Sequence, residues 1–289
     1  MISRDSKHGV ALSALAVCSA VCFTLALPVG GVRAATAVSP ESSAAKQMVT
    51  TMLNNELVAA QHRDHYAYIS KERSERTGGQ LWTEKVVETN VGKIRFLLEV
   101  DGQPLSPDRE AQERGRLAVI VADPAAFAKK QQAIKDDELH ARQLLSLLPH
   151  AFLFSDPHPE GEYLRIDYRP NPDYQTQSME ERVLHATSGS MLIDPKAIRL
   201  HQIQGRLPED ISIGFGLLAT IRAGSSFGTT RDTLGQPDWK TTRLDTDING
   251  KAIFFKSIAR KEHAEHSDFV RISNDLSVPQ AVALAEQPS

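Results

Sequence analysis

Two histidine pairs have the spacing that comes nearest to metal chemistry. His62-Arg63-Asp64-His65 and His263-Ala264-Glu265-His266 both read H-x-x-H, each with an acid between the histidines. Imidazole beside carboxylate suits zinc or another divalent ion. A zinc hydrolase, however, sets a glutamate directly after the first histidine on a helix, in the pattern H-E-x-x-H, and neither pair does so. The chain has ten histidines, enough for two such spacings to arise without a site. The plainer reading ends a polar helix with one pair and leaves the other in a charged loop between strands. No metal site is assigned, and His62, His65, His263 and His266 are the residues that would form one.

Other reactive patterns are missing. No G-x-S-x-G elbow presents a serine, and Gly224-Ser225-Ser226-Phe227-Gly228 lies in β-type sequence rather than between a strand and a helix. Ile213-Gly214-Phe215-Gly216 is a fragment of a dinucleotide fingerprint, without its third glycine or following helix. Its glycines suit a bulge or bend in a sheet. Asp245 and Asp247 alternate onto one face of a strand near a hairpin tip, as solvated edge charges do. The sequence therefore predicts no catalytic residue, no enzyme activity and no cofactor.

The elements around these residues begin with a processing signal. Arg4 and Lys7 precede an almost unbroken apolar run from Val10 to Leu27, and small residues follow. This is the layout of a cleaved secretory signal peptide over residues 1–34, with peptidase sites after Ala34 or Ala37. A retained anchor is the competing reading, which Pro28 and Gly30-Gly31 disfavour. Cys18 and Cys22, the only cysteines, fall inside the run, and Val17 and Val21 before them argue against a lipoprotein signal, which needs a small residue there. The processed chain would have no thiol or disulfide and would rely on an ordinary core. Its formal charge would be −5, because Arg4, Lys7, Arg33 and Asp5 leave with the signal. There is no basic excess for nucleic acid, and no later apolar run is long enough for a stable membrane span. These features predict a periplasmic or secreted protein.

Ser39-Pro40-Glu41 reads as a cap and first turn, opening a helix to about Arg63 with Met48, Met52, Leu53, Leu57 and Ala60 on one face. Two or three strands follow between Tyr66 and Asp101. Ser106-Pro107 and Asp123-Pro124 then cap helices over Pro107–Ala122 and Pro124–Leu148, a helical insertion at about 106–148. Glu162–Arg169 alternates as a strand, and Pro170–Glu181 begins as a loop. A meander of strands runs from Ser188 to Lys261, with a last strand near Asp268–Ile272. Asn249-Gly250 reads as a type I′ hairpin turn, which sets Ile248 against Lys251, Leu244 against Phe255 and Trp239 against Arg260. Residues 277–289 read as a flexible tail. The domain organisation is thus a signal peptide at 1–34, one α+β domain over 35–276 and the tail.

Gly189-Ser190-Met191-Leu192-Ile193-Asp194, followed by Ile198-Arg199-Leu200, resembles a "small residue, apolar strand, acid, turn, apolar strand" unit. It is the unit of the LolA/LolB-like family of exported lipoprotein carriers, to which MucB/RseB proteins are related. Trp239–Phe255 is similar to the family's late hairpin. The resemblance implies a strongly curved antiparallel sheet, a half-barrel, wrapped around the N-terminal helix and the helical insertion. It also implies an apolar hollow that takes a lipid or a lipoprotein acyl chain. Met52, Phe96, Leu144, Ile166, Ile198 and Phe254 are the candidate lining residues. The chain departs from the carriers in its long insertion and its lack of a lipobox cysteine, and no particular arginine matches their latch. Two other readings stand beside this one: an envelope module that binds a protein partner through loops such as Pro170–Glu181, and a metal-dependent hydrolase using the histidine pairs.

Overall fold

Alternation of apolar and polar side chains at period two dominates the chain, and strands dominate the structure. The computed structural model describes residues 42–287, apart from 62–63, 214–218, 236–237 and 253–255. The expected signal peptide, the Ser39-Pro40 cap, His62, Phe254 and most of the Ile213–Gly216 fragment lie outside the described residues. Among the described residues, no helix is long and apolar enough to cross a membrane.

The strands are β1 (His65–Arg73), β2 (Leu81–Glu88), β3 (Lys93–Val100) and β4 (Gln103–Pro104), then β5 (Phe152–Phe154), β6 (His158–Glu160) and β7 (Tyr163–Pro170). After them come β8 (Ser188–Asp194), β9 (Arg199–Arg206), β10 (Ile211–Ile213), β11 (Ala219–Ile221), β12 (Ser226–Thr233), β13 (Trp239–Ala252) and β14 (Lys256–Ile272). Among the described residues, all fourteen join one antiparallel sheet in the order β4-β3-β2-β1-β14-β13-β12-β9-β8-β7-β5. β6 adds to β7, and β11 joins β10 to β13. The sheet is open, and the mixture of sheet and helices is α+β. The pairing of β1 with β14 brings the first and last strands together at its centre.

Among the described residues, six helices accompany the sheet: α1 (Ser43–Gln61), α2 (Pro107–Ala122), α3 (Pro124–Leu145), α4 (Leu148–Ala151), α5 (Met179–His185) and α6 (Val278–Ala285). The caps explain where they start. Ser106 Oγ accepts from Arg109 N and the Asp123 carboxylate accepts from Ala126 N, each with proline in the first turn, as the sequence predicts. At α1 the cap is Ser42, whose hydroxyl accepts from Ala45 N.

One face of the sheet carries Ile166, Met191, Ile193 and Ile203, which bury Ala45, Val49 and Met52 of α1 together with Leu144 and Leu148. The opposite face, across β1–β3, carries Ala67, Val87, Ile94 and Phe96 against Leu117, Phe127 and α6. Helix α3 belongs to both layers. It crosses the β2–β3 turn, where Lys135 Nζ donates to Asn90 O at 2.8 Å and Gln131 lies against Gly92. The insertion is therefore shared between the two faces, with Phe127 on one and Leu144 on the other.

Sequence expectations are corrected at several places, among them the charged loop expected around His263–His266, which lies within the continuous strand β14. Asn249-Gly250 is not a turn: β13 runs through it to Ala252, Ile248 pairs with Arg260 and Gly250 with Ile258. A Cβ on Gly250 would stand 2.5 Å from Thr220 O, so this glycine admits the backbone of β11 rather than a positive φ. Trp239 accordingly pairs with Thr233, not Arg260. The expected tail is also partly a helix. A capping box between Ser277 and Gln280 starts α6, and Val278, Ala281, Val282 and Ala285 are buried.

Candidate functional site

Glu56 lies one turn after Met52 on α1 and so faces the sheet. Its Oε1 accepts hydrogen bonds from Arg199 Nε at 2.7 Å and Leu200 N at 3.2 Å. Its Oε2 accepts from Arg199 Nη2 at 3.1 Å and from Arg231 Nη1. Burial would raise the Glu56 carboxyl, but the hydrogen bonds and charges of the two arginines outweigh it and hold the group below its ordinary value. Arg231 also donates to Trp239 O, and the Arg199 guanidinium lies 5.9 Å from the Trp239 ring centroid. The neighbouring Asn55 donates to Ala197 O and Ile198 O, clamping a turn in which Ile198 adopts φ 47. A β-branched residue in the left-handed region is strained, and the clamp holds it there.

A second polar wall comes from β1, β2 and β13. Lys240 Nζ donates to Glu88 Oε2 at 2.7 Å and lies over the Tyr66 ring. The Tyr66 hydroxyl donates to Asp238 at 2.6 Å, and burial together with that carboxylate pushes its pKa up to about 12. Opposite Tyr68 the β1–β14 register slips by one residue, and Asp268 takes φ 55. This bulge turns Phe269 onto Tyr68, with ring centroids 5.0 Å apart, while His266 packs on the same ring at 5.1 Å. His266 Nδ1 donates to Thr241 O. Burial, with the charges of Arg95 and Lys93, outweighs that bond and Glu72 to hold the imidazole below its usual value.

Between these walls lies a cavity of about 330 Å³. Met52, Leu148, Ile203 and Trp239 line its buried part; Leu57, Ser146 and Lys93 line its exposed part. Trp239 Nε1 is buried without a hydrogen-bond partner among the described residues. The cavity is thus largely apolar with charged groups set into its walls, a lining suited to a small amphiphilic molecule.

On the same sheet face, a buried ionic cluster lies beyond the cavity. Arg76 Nη2 bonds Glu72 and Glu84 at 2.6 Å each, and Arg95 bonds Glu84 at 2.9 Å. Burial alone would raise Glu72, yet hydrogen bonds from Arg76 and Ser74 and the charges of Arg76 and Arg95 lower it to about 2. Glu262 nearby is raised, by burial first and by Glu72. Two carboxylates matched by two guanidinium groups make a satisfied structural network.

The residues expected to line a hollow scatter. Met52 reaches the cavity. Leu144 and Ile166 belong to the core beside it, and Ile198 packs against that core without lining the cavity. Phe96 lies on the opposite sheet face, against Leu117 and under Arg114. The histidines do not converge either. His263 bonds Asp245 at 2.7 Å, while His266, three residues on, faces the other side of β14. His65 pairs with Ile272, at the far end of β14 from His263. Among the described residues, no group of three or more His, Cys, Asp or Glu could hold a metal ion. Sequence reasoning did not single out Glu56, Lys93 or Arg231. The one available signal was a glutamate set between Leu53 and Leu57 on the apolar stripe of α1.

No protein-family model, no curated protein and no solved structure matches this chain.

Proposed function

We propose that this protein is an exported carrier that holds an acyl chain between α1 and the sheet. In this reading the sheet curves as a half-barrel around α1 in the LolA/LolB-like manner, and the apolar run at Val10–Leu27 directs export to the periplasm or outside the cell. The observation that carries the proposal is the cavity itself. About 330 Å³ lies open beneath α1, on an apolar floor of Met52, Leu148 and Ile203, where a packed core would be closed. Charged groups in the wall are anchored by one another, as Glu56 is by two arginines, which leaves the floor for a hydrocarbon chain.

The test is displacement of a fluorescent fatty-acid probe from delipidated protein. Wild type is expected to bind the probe with micromolar affinity, and dodecanoate is expected to displace it. Ala60 lines the cavity and is only half-buried, so Ala60→Trp fills the space without disturbing the core. That variant is expected to lose at least tenfold in affinity while melting near the wild-type temperature. Absence of probe binding by folded wild type would overturn the proposal.

A further inference from the structure

The cavity is polarised along its depth. Its floor is almost wholly buried: Met52 is 1% exposed, Trp239 6% and Ile203 7%. Its mouth is not, since Lys93 and Ser146 are exposed and Leu57 is 45% exposed. Charge is distributed unevenly along the same axis. Three carboxylates line the cavity (Glu56, Glu88 and Asp238) against five cations: Lys93, Arg142, Arg199, Arg231 and Lys240.

Pairing accounts for the deeper charges. Glu56 is shared by Arg199 and Arg231, Glu88 takes Lys240, and Asp238 takes the Tyr66 hydroxyl. The two cations left stand at the mouth. Arg142 leans on Glu138, its neighbour one helical turn back, at 3.6 Å. Lys93 makes no ion pair within reach among the described residues, although Tyr68, Glu88 and Glu138 all contribute to the field around it. An ammonium and a guanidinium therefore line a hollow whose far end is hydrocarbon. A surplus of positive charge beside apolar surface matches a molecule with one anionic end and one apolar end.

We propose that Lys93 and Arg142 form an anion-recognition subsite at the cavity mouth, which takes the carboxylate or phosphate head of a single-chain amphiphile. This rests on the cavity being the ligand site. Arg142, a planar fork, can engage two head-group oxygens, and Lys93 supplies a point charge. The tail then lies over Met52, Leu148 and Ile203, and Leu57 closes on it from α1.

Affinity for two lipids of the same acyl chain, oleoyl lysophosphatidic acid and mono-oleoylglycerol, tests the assignment by probe displacement on the full chain. Dodecanoate against dodecanol repeats the comparison for a carboxylate head. Wild type is expected to prefer the anionic member of each pair by about tenfold or more, the range of one to two charge-assisted hydrogen bonds. The Lys93→Gln, Arg142→Gln double variant is expected to lose the preference and bind both members of each pair equally. Lys93→Arg is expected to keep the preference, and thermal melts establish that each variant is folded. Equal affinity in wild type, or a preference that survives the double variant, would refute the subsite while leaving the carrier reading intact. Inorganic phosphate binding as tightly as lysophosphatidic acid would show a site for free anions instead. If no lipid binds at all, the carrier reading itself fails, and the subsite with it.

Discussion

Glu56 and Arg199 lie 143 residues apart and meet in a two-point ion pair, with the Arg199 Nε 2.7 Å from the carboxylate. Arg231 joins the same carboxylate from β12. One side chain of α1 thereby ties the helix to two neighbouring strands and sets one wall of the cavity. The apolar contacts of Ala45, Val49 and Met52 hold the N-terminal half of α1, and Glu56 holds the half above the cavity.

Replacing Glu56 by Ala leaves Arg199, 7% exposed, without its carboxylate. Removing one partner of a buried pair costs about 3–5 kcal/mol. Urea unfolding of Glu56→Ala should show that loss. A loss below about 1 kcal/mol would mean that α1 is held by its apolar face alone.

Acid should weaken the cluster around Arg76. Glu72 titrates near 2 in the folded chain against an ordinary 4.5, so its contribution is complete above pH 4.5 and is lost as pH falls towards 2. That difference corresponds to about 3 kcal/mol. Glu262, raised by burial, acts in the opposite direction over pH values just above 4.5 and offsets part of it. Denaturant unfolding of wild type and Glu72→Gln between pH 3 and 6 measures this contribution. The variant should start less stable and lose less on acidification.

Much of this architecture was legible in the sequence, and the failures have physical causes. Proline after a capping residue fixed the starts of α2 and α3, because that signal is local. The strands of β1–β3 and β7 followed from period-two alternation. Asn249-Gly250 misled because the same glycine that permits a turn also permits a close backbone neighbour, and only the position of β11 distinguishes them. In sequence, helix α6 reads as a tail because its few apolar residues acquire a partner only when Phe96 and Val87 form a second layer. The cavity was hardest to see. Its walls depend on pairings such as Glu56 with Arg231, 175 residues apart, and on a bulge at Asp268 that no short motif announces.

His266 makes stability depend on pH in the near-neutral range. Its folded pKa is depressed below the ordinary 6.5, so stability is complete above pH 6.5 and falls as pH drops through the lowered value. Burial is the main cause; Arg95 and Lys93 add to it, while Glu72 and the bond to Thr241 oppose it. Thermal melts from pH 7.5 to 5 should show a decline that His266→Gln reduces. An unchanged slope in the variant would place the titrating group elsewhere.

Gly250 distinguishes a strand position from a turn. An added methyl group would meet Thr220 O at 2.5 Å, so Gly250→Ala should destabilise by about 1–3 kcal/mol. In an uncrowded strand the same change would stabilise slightly, through the unfolded chain. The sign of the shift in melting temperature decides between them.

The most direct test of the central claim is native mass spectrometry of the full chain purified, without detergent, from the cells that make it. The expected result is a polypeptide carrying one anionic single-chain lipid, lost on organic extraction and regained when the extracted protein is incubated with oleoyl lysophosphatidic acid. A bare polypeptide mass that stays bare after that incubation would contradict it.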